Sequence, residues 1–169
     1  DDSTIASIAF VDWVAKVPKY GIYRPKFYGY NKYGLLIDTD VQGVKVSCPA
    51  SAGEMTDSLT FYASGKGDAL LTATLGNLST TVPVQVLGEG EHIHIVNDSI
   101  ITDTFKEYVV DVENTVDGVT CKVNPAALSW SSSDESVATI DAATGVLKGV
   151  NDGVAYVVGT LGEMADTLK

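Results

Sequence analysis

Aromatic and basic side chains are concentrated in one stretch, KYGIYRPKFYGYNKYG, which runs from Lys19 to Gly34. It holds five of the eight tyrosines and four basic residues of an otherwise acidic chain. Rings interleaved with cations can stack on sugars or on bases, and they can equally fill a protein core. The candidate ligand-binding residues in this stretch are Tyr20, Tyr23, Arg24, Tyr28, Tyr30 and Tyr33.

The spacing of these rings leaves two interpretations open. In an extended chain Tyr28 and Tyr30 share one face, whereas Phe27, Gly29 and Asn31 share the other, and one of these faces should be core. The other three tyrosines flank glycine and proline, which places them in loops or at strand ends. The rings therefore either pack as core or form an exposed platform for a glycan or a neighbouring domain.

Two histidines are the next residues with a chemical use. His92 and His94 lie two apart in EHIHIV, so their side chains share one face of a strand, and with Glu89 or Glu91 they could bind zinc. The chain has no third histidine and no cysteine near this pair, so we expect a solvent-facing strand start. The sequence predicts no catalytic residue, no metal site and no cofactor.

Paired carboxylates at Asp38 and Asp40 raise the question of calcium. Calcium requires six to eight oxygen ligands and is usually bound by a loop with regularly spaced acidic residues. The segment IDTDVQG (37–43) offers only two carboxylates at alternate positions. Turn formation explains this pair better than a calcium site.

The overall charge restricts the class of partner. The formal net charge is −11, which repels phosphate backbones and anionic membrane surfaces. No apolar run approaches the roughly 20 residues of a membrane span. We therefore expect no nucleic acid partner and no direct membrane insertion.

Cys48 and Cys121 are too far apart to form a metal-ligand motif, and buried free thiols are the simplest interpretation.

The elements that position these residues are strands. Apolar residues recur at a spacing of two, in short runs rich in Val, Ile, Thr and Tyr, and turn residues interrupt them every eight to twelve positions. This pattern predicts an all-β fold of the sandwich type. The runs are 4–11, 44–47, 69–75, 81–86, 92–96, 108–113, 137–140 and 154–161.

An internal repeat predicts two domains. When the chain is shifted by 86 positions, GVAYVVGTLG (153–162) falls on GDALLTATLG (67–76). We interpret this as two domains of similar plan, at residues 1–88 and 89–169. The last strand of the first domain should end at Val86, and its counterpart would end beyond Lys169, so we expect a clipped final strand and a longer parent protein.

The second predicted domain carries a specific family pattern. Its segments are WSSSD (130–134), VATID (137–141), GVLKG (145–149) and GVAYV (153–157). In this order and spacing they resemble the bacterial immunoglobulin-like domain of group 2, the invasin/intimin-like family. The first domain keeps only the second half of the pattern, in residues 65–86. The resemblance implies two tandem immunoglobulin-like β-sandwiches, the first of them divergent.

The largest expected core residue is Trp130. A tryptophan on a central strand that faces the opposite sheet supplies the greatest apolar volume of such a domain. We assign Val137, Ile140 and Tyr156 to the same core. The odd spacing of Val137 and Ile140 requires a bend or bulge if both are to face inward.

Short Asp-Ser and Asp-Thr segments bear on the origin of the chain. They resemble the O-glycosylation acceptor pattern of exported Bacteroidetes proteins, although ordinary turn chemistry gives the same letters. The segments are DST (2–4), DSL (57–59), DSI (98–100) and DTL (166–168).

The function implied by these resemblances is non-catalytic. We expect a cell-surface or secreted spacer and adhesion module of a larger protein, whose partners are neighbouring domains, a glycan or a host surface protein. The alternative is a carbohydrate-binding accessory module attached to a secreted glycan-active enzyme such as a phosphodiester glycosidase, because the tyrosine-rich stretch resembles segments beside such catalytic domains.

Overall fold

The computed structural model describes residues 2–90, 92–97, 99–100 and 103–169. The chain divides into two compact units, Asp1–Gly88 and Glu89–Lys169. Almost all regular structure in the described residues is β-strand, and one 3₁₀ turn lies at Pro125–Ala127. The all-β prediction is confirmed.

The described part of the first unit contains ten strands in three sheets. The sheet orders are β1-β4-β5, β2-β10-β9-β6 and β3-β8-β7. The strands are β1 (Ser7–Val11), β2 (Lys16–Pro18), β3 (Ile22–Tyr23), β4 (Lys26–Tyr30), β5 (Leu36–Asp38), β6 (Lys45–Ser47), β7 (Gly53–Met55), β8 (Phe61–Ala63), β9 (Gly67–Leu75) and β10 (Leu78–Leu87).

Strands β9 and β10 form the long hairpin of this unit. They pair antiparallel from Gly67 opposite Val86 to Leu75 opposite Leu78. The turn contains Gly76 at φ 56°, a left-handed conformation that glycine adopts without a Cβ clash. The buried side chains that gather around this hairpin include Phe27, Phe61, Leu71, Val84 and Val86.

The second strand of this unit pairs with its last strand. Strand β2 runs parallel to β10, with Val17 opposite Val86. Two further bonds lie at the ends of this ladder: Gln85 N–H donates to the Ala15 carbonyl at 2.8 Å, and Lys19 N–H donates to the Leu87 carbonyl at 3.1 Å. Residues near the two ends of the unit are therefore joined side by side.

The second unit contains nine strands in three sheets, counted over the residues that the structure describes. The sheet orders are β11-β13-β14, β12-β17-β16 and β15-β18-β19. The strands are β11 (Ile93–Ile95), β12 (Glu107–Val109), β13 (Val112–Val116), β14 (Val119–Val123), β15 (Ser129–Ser132), β16 (Ala138–Ile140), β17 (Val146–Gly149), β18 (Val157–Leu161) and β19 (Met164–Leu168).

The apolar run 108–113 differs from the single strand that its pattern predicts. It is divided between β12, which pairs with β17, and β13, which pairs with β11 and β14. Val110 lies between the two strands and is fully buried, as is Val112. One apolar run thus serves two sheets, because the chain crosses the core between them.

The buried side chains of the second unit come from all three of its sheets. A second hairpin, β18–β19, turns at Gly162 with φ 61°. The interpretation of the two units as copies of one domain stays a prediction. The buried apolar residues of this unit are Ile93, Ile95, Val110, Val112, Val123, Leu128, Trp130, Leu147, Val157, Leu161, Met164 and Leu168.

Candidate functional site

The tyrosine-rich stretch spans two short strands and the loops around them. Tyr28 and Tyr30 lie half-buried on one face of β4, while Tyr20 is half-buried in the turn before β3. Tyr33 is 64% exposed, whereas Tyr23 is only 9% exposed. The five rings therefore do not form one exposed platform.

Tyr23 corrects the set of candidate ligand-binding residues. It lies on β3 opposite Phe61, a fully buried residue on β8. Burial raises the pKa of its phenol above the usual value, since the ionised form loses hydration. Tyr23 is a core residue because its side chain belongs to the buried apolar cluster of the first unit, and its ring is not accessible to a ligand.

The core face of β4 belongs to Phe27 and Gly29 rather than to the tyrosines. The Phe27 ring packs on Phe10 of β1 with centroids 4.8 Å apart and planes at 59°. A Cβ atom on Gly29 would lie 2.9 Å from Cδ1 of Ile5. The absence of a side chain at Gly29 lets Ile5 approach the backbone, and the alternation of the strand directs Tyr28 and Tyr30 to the other face.

Arg24 is held on the surface by the loop that precedes β8. Its Nη1 donates to Oδ2 of Asp57 at 3.1 Å and to the hydroxyl of Thr60 at 2.8 Å. The Asp57 carboxylate also accepts the backbone N–H groups of Leu59 and Thr60, each at 2.7 Å. Arg24 therefore fixes two loops together, with its guanidinium already engaged by acceptors.

Tyr33 is presented by a turn that Asn31 organises. Asn31 is 3% exposed, and its Oδ1 accepts the N–H groups of Tyr33 and Leu35, each at 3.0 Å. Its Nδ2 donates to the carbonyl of Asp2 at 2.9 Å. A buried amide with both ends bonded fixes the turn that carries Tyr33.

The residues after this turn extend the exposed apolar area. The Lys32 ammonium lies 4.8 Å from the Tyr33 ring centroid, in cation–π range. The next strand, β5, pairs with β4 with a shifted register after Gly29. We call the exposed apolar residues Tyr33, Leu35, Leu36 and Ile37 the Tyr33 hairpin surface.

The histidines lie on the exposed side of the β11 segment. His92 and His94 are both exposed, and Nδ1 of His94 lies 3.7 Å from Oδ2 of Asp166. The same carboxylate oxygen accepts the Ile95 N–H at 2.7 Å. Glu91 lies outside the described residues, as does Asp98 of the DSI segment. Within those that are described, no three His, Cys, Asp or Glu side chains are grouped as a metal site requires.

The acidic pair of the first unit forms a turn. Oδ1 of Asp38 accepts the N–H of Asp40 at 2.9 Å, an Asx-type bond. Gln42 then donates its side-chain amide to the Asp40 carbonyl at 3.0 Å. These carboxylate and carbonyl oxygens are used to shape the loop between β5 and β6.

Trp130 is the largest of the buried apolar side chains in the second unit. It is 7% exposed, and its Nε1 donates to the Pro125 carbonyl at 2.7 Å. Gly159 lies opposite it on β18, where a Cβ atom would be 2.7 Å from Cζ3 of the indole. A Cβ atom on Gly145 would lie 2.9 Å from the indole nitrogen. The indole is therefore enclosed between two glycines and held by one hydrogen bond.

This enclosed tryptophan lies within a segment of known family pattern. Residues 95–169 match the family model of the bacterial Ig-like domain, group 2. The match covers nearly all of the second unit, so the resemblance predicted from the WSSSD segment is confirmed there. A search of curated proteins finds no match to the chain.

Solved structures resemble the chain at low identity. Domains 5–6 of the S-layer protein SbsC share 16% identity, with 97% of this chain and 95% of that chain covered and a TM-score of 0.47. The human protocadherin-24 EC1-2 structure shares 9% identity, with 98% and 93% covered and a TM-score of 0.36. The chain spans 26% of the larger S-layer protein structure rSbsC(31-844), at 12% identity and a TM-score of 0.39, with 96% of this chain covered.

The other predicted core residues of the group 2 Ig-like segment differ in burial. Val137 and Ile140 are half-buried; Val137 directly precedes β16 and Ile140 ends it. Tyr156 corrects the prediction, because it is 49% exposed. It directly precedes β18, in which Val157 and Leu161 are buried, and the alternation of an extended chain directs Tyr156 outward.

Two aspartates in the same group 2 Ig-like segment stabilise turns. Oδ1 of Asp134 accepts the N–H of Ser136 at 2.9 Å, and Oδ1 of Asp141 accepts the N–H of Thr144 at 2.8 Å. The hydroxyls of Ser136 and Thr144 donate to the same oxygens, and these bonds lower the pKa of both carboxyl groups.

Among the described residues, no helix has the length and apolar character to cross a membrane.

Proposed function

We propose that this chain is a non-catalytic Ig-like spacer and adhesion module of a larger exported protein, held at the cell surface or outside the cell. Two compact β-units in succession, the second matching a bacterial Ig-like domain, support this proposal. Ig-like folds place binding in loops and exposed faces and leave the core to packing.

The observation that carries the proposal is the parallel pairing of β2 with β10. Because β2 runs parallel to β10, tension that reaches these two strands from opposite ends of the unit loads the ladder bonds in shear, and several bonds must break together. The bonds that flank the ladder, at Gln85 and Lys19, share this load. Resistance to tension is the property that a spacer between a surface and a terminal domain requires.

Single-molecule pulling of the chain between its ends tests the spacer role. The Gln85→Pro substitution removes the N–H that bonds the Ala15 carbonyl, and β10 already contains Pro83 two positions away. Gln85→Ala keeps this N–H and is the matched control. We expect Gln85→Pro to lower the unfolding force of the first unit and Gln85→Ala to leave it nearly unchanged. Unfolding of the original chain at forces too low to measure would refute a mechanical role.

The adhesive contact that we propose is the Tyr33 hairpin surface, and the proposed partner is a neighbouring domain of the larger protein. Three of its four residues are aliphatic, and aliphatic side chains pack on protein surfaces, whereas sugar stacking requires ring faces. The buried Asn31 fixes the turn before binding, which reduces the ordering cost of association.

A binding titration against separately produced neighbouring domains of the parent protein tests this contact. We expect Leu36→Ser to weaken binding, because it removes apolar area from the Tyr33 hairpin surface. Leu70→Ser is the matched control, since Leu70 is 55% exposed on β9, outside this surface. Equal weakening by both substitutions, or unchanged binding in Leu36→Ser, would contradict the proposal. Protease digestion of intact cells that make the parent protein tests its exposure outside the cell.

A further inference from the structure

An open groove crosses the outer face of the β12-β17-β16 sheet in the second unit. Its volume is about 530 Å³. Glu107 stands opposite Lys148, which in turn stands opposite Thr139, so these three side chains form one row across the sheet. The residues that line the groove include Glu107, Thr139, Asp141, Thr144, Val146 and Lys148.

An aromatic ring stands beside this groove on a strained backbone. Phe105 has φ 66°, a left-handed conformation that is costly for a bulky residue, and its side chain is 72% exposed. Its N–H donates to the Gly149 carbonyl at 2.6 Å, and the Gly149 N–H donates back to the Lys106 carbonyl at 3.3 Å. These bonds hold the turn that contains Phe105 against β17. Because the ring is exposed, its burial does not offset the backbone strain.

The ring and the groove are connected through Lys148. Its ammonium lies 5.9 Å from the Phe105 ring centroid, and the same side chain lines the groove. Strain at an exposed residue that the surrounding bonds enforce is a property of ligand-contacting sites. The ring therefore lies next to Lys148, a member of the row of polar side chains that lines the groove.

The chemistry of these groups fits a neutral sugar. A saccharide ring has an apolar face that stacks on an aromatic side chain and hydroxyls that both donate and accept hydrogen bonds. Glu107 and Asp141 supply acceptors and Lys148 supplies a donor, whereas the Thr144 hydroxyl already donates to Asp141. Of these charged lining residues two are acidic and one is basic, so the groove disfavours polyanions.

We propose that this groove binds a neutral oligosaccharide, with the Phe105 ring stacked on one sugar unit and with Glu107 and Lys148 bonded to hydroxyls. An open groove admits a chain of sugars, whereas an enclosed pocket would restrict binding to a chain end. All of these residues lie in the second unit, so sugar binding here is independent of the Tyr33 hairpin surface and of the spacer role.

A glycan array tests the inference with the full chain. The probes are neutral oligosaccharides of glucose, mannose, galactose, xylose and N-acetylglucosamine, with sulfated and sialylated glycans and basic peptides as contrasts. We expect binding among the neutral probes and, for the best of them, shifts of the Glu107, Thr139 and Lys148 amide signals in NMR spectra. Binding of sulfated glycans or basic peptides alone would overturn the inference, as would no binding at all.

Substitutions at Phe105 separate stacking from folding. Phe105→Gly removes the ring and suits the left-handed backbone, so we expect binding to weaken roughly tenfold with no loss of thermal stability. Phe105→Trp keeps a ring and should keep most of the affinity. Trp13→Ala, which removes an exposed ring of the first unit that belongs to no proposed contact, should leave sugar binding unchanged. Sugar binding by Phe105→Gly equal to that of the original chain would overturn the inference.

Discussion

Trp130 and Gly159 stand directly opposite each other on β15 and β18, so that the indole covers the place where a side chain would be. A Cβ atom on Gly159 would lie 2.7 Å from Cζ3 of Trp130 and 2.9 Å from Cδ2 of Leu128. Both distances are shorter than carbon atoms tolerate, so the tryptophan and the glycine form one packing unit.

Gly159→Ala should therefore destabilise the second unit by about 1–3 kcal/mol, the usual cost of an overpacked core. The measurement is urea unfolding followed by circular dichroism, because the Trp130→Phe background removes the tryptophan of this unit. In a Trp130→Phe background the same substitution should cost less, because phenylalanine has no Cζ3 atom at that position. Equal costs in the two backgrounds would show that the two residues are not coupled.

Trp130→Ala should cost about 3–5 kcal/mol of unfolding free energy, because it removes the largest buried side chain of this unit. Trp130→Phe should cost less than Trp130→Ala but leave the Pro125 carbonyl without its 2.7 Å indole donor. The comparison of the two variants by urea unfolding separates the volume of the ring from its hydrogen bond. Near-identical stabilities of the original chain and Trp130→Ala would contradict this assignment.

Asn31→Ala should loosen the turn that carries Tyr33, at a cost of about 1–3 kcal/mol, since it removes the acceptor of two backbone N–H groups. Hydrogen exchange measured by NMR should show faster exchange at Tyr33 and Leu35. Asn31→Asp keeps the acceptor oxygen and loses the bond to the Asp2 carbonyl, so these two amides should remain protected. Unchanged exchange in Asn31→Ala would mean that the turn is held by other contacts.

Asp57 should make the first unit sensitive to acid. The backbone N–H groups of Leu59 and Thr60, then the Thr60 hydroxyl and Arg24, lower its pKa to about 2 from the ordinary value of 3.8. Because the folded-state pKa is depressed, this stabilisation is fully present above pH 3.8 and is lost as the pH falls through about 2. An NMR titration of the Asp57 carboxyl carbon should give a midpoint near 2.

The control for this acid sensitivity is Asp57→Asn. This variant should lose less stability than the original chain between about pH 4 and pH 2, because the amide has no proton to take up in that range. An Asp57 midpoint at the ordinary aspartate value would show that the loop bonds do not favour the charged form.

Cys121 should react slowly with thiol reagents. It is a free cysteine on β14, and burial, followed by the charge of Glu113, raises the pKa of its thiol to about 11 from the ordinary value of 9.0. The thiolate fraction near pH 8 is then roughly a hundredfold lower than for an ordinary cysteine, and the rate should rise steadily toward about pH 11. Iodoacetamide labelling of a Cys48→Ser variant isolates this thiol. Fast labelling near neutral pH would contradict the raised pKa of this half-buried thiol.

The fold class could be predicted from the sequence because the spacing-two apolar pattern and the turn residues act locally. The division of run 108–113 between two sheets could not, since it depends on where the chain crosses the core. Tyr156 precedes the buried Val157, so the spacing of two predicts that Tyr156 faces outward. Its aromatic character alone favours a core position, which is wrong.

The candidate site was only partly predictable. The alternation on β4 separates Phe27 from Tyr28 and Tyr30, but it does not say which face is buried; the packing of Phe27 on Phe10 decides that. The Asn31 bonds and the left-handed Phe105 depend on backbone conformation and on partners distant in sequence. No sequence pattern indicates the Asn31 hydrogen bonds or the left-handed conformation of Phe105. For this reason the sequence does not predict the groove near Phe105.

The parallel ladder between β2 and β10 also determines when the first unit can finish folding during synthesis. Val17 cannot pair with Val86 until Val86 has left the ribosome, which happens after nearly all of the unit has been translated. Pairing over such a sequence separation has a high loop-closure cost and slows folding. The first unit therefore stays incompletely folded until its last strand emerges. An incompletely folded polypeptide can still be threaded through a narrow channel.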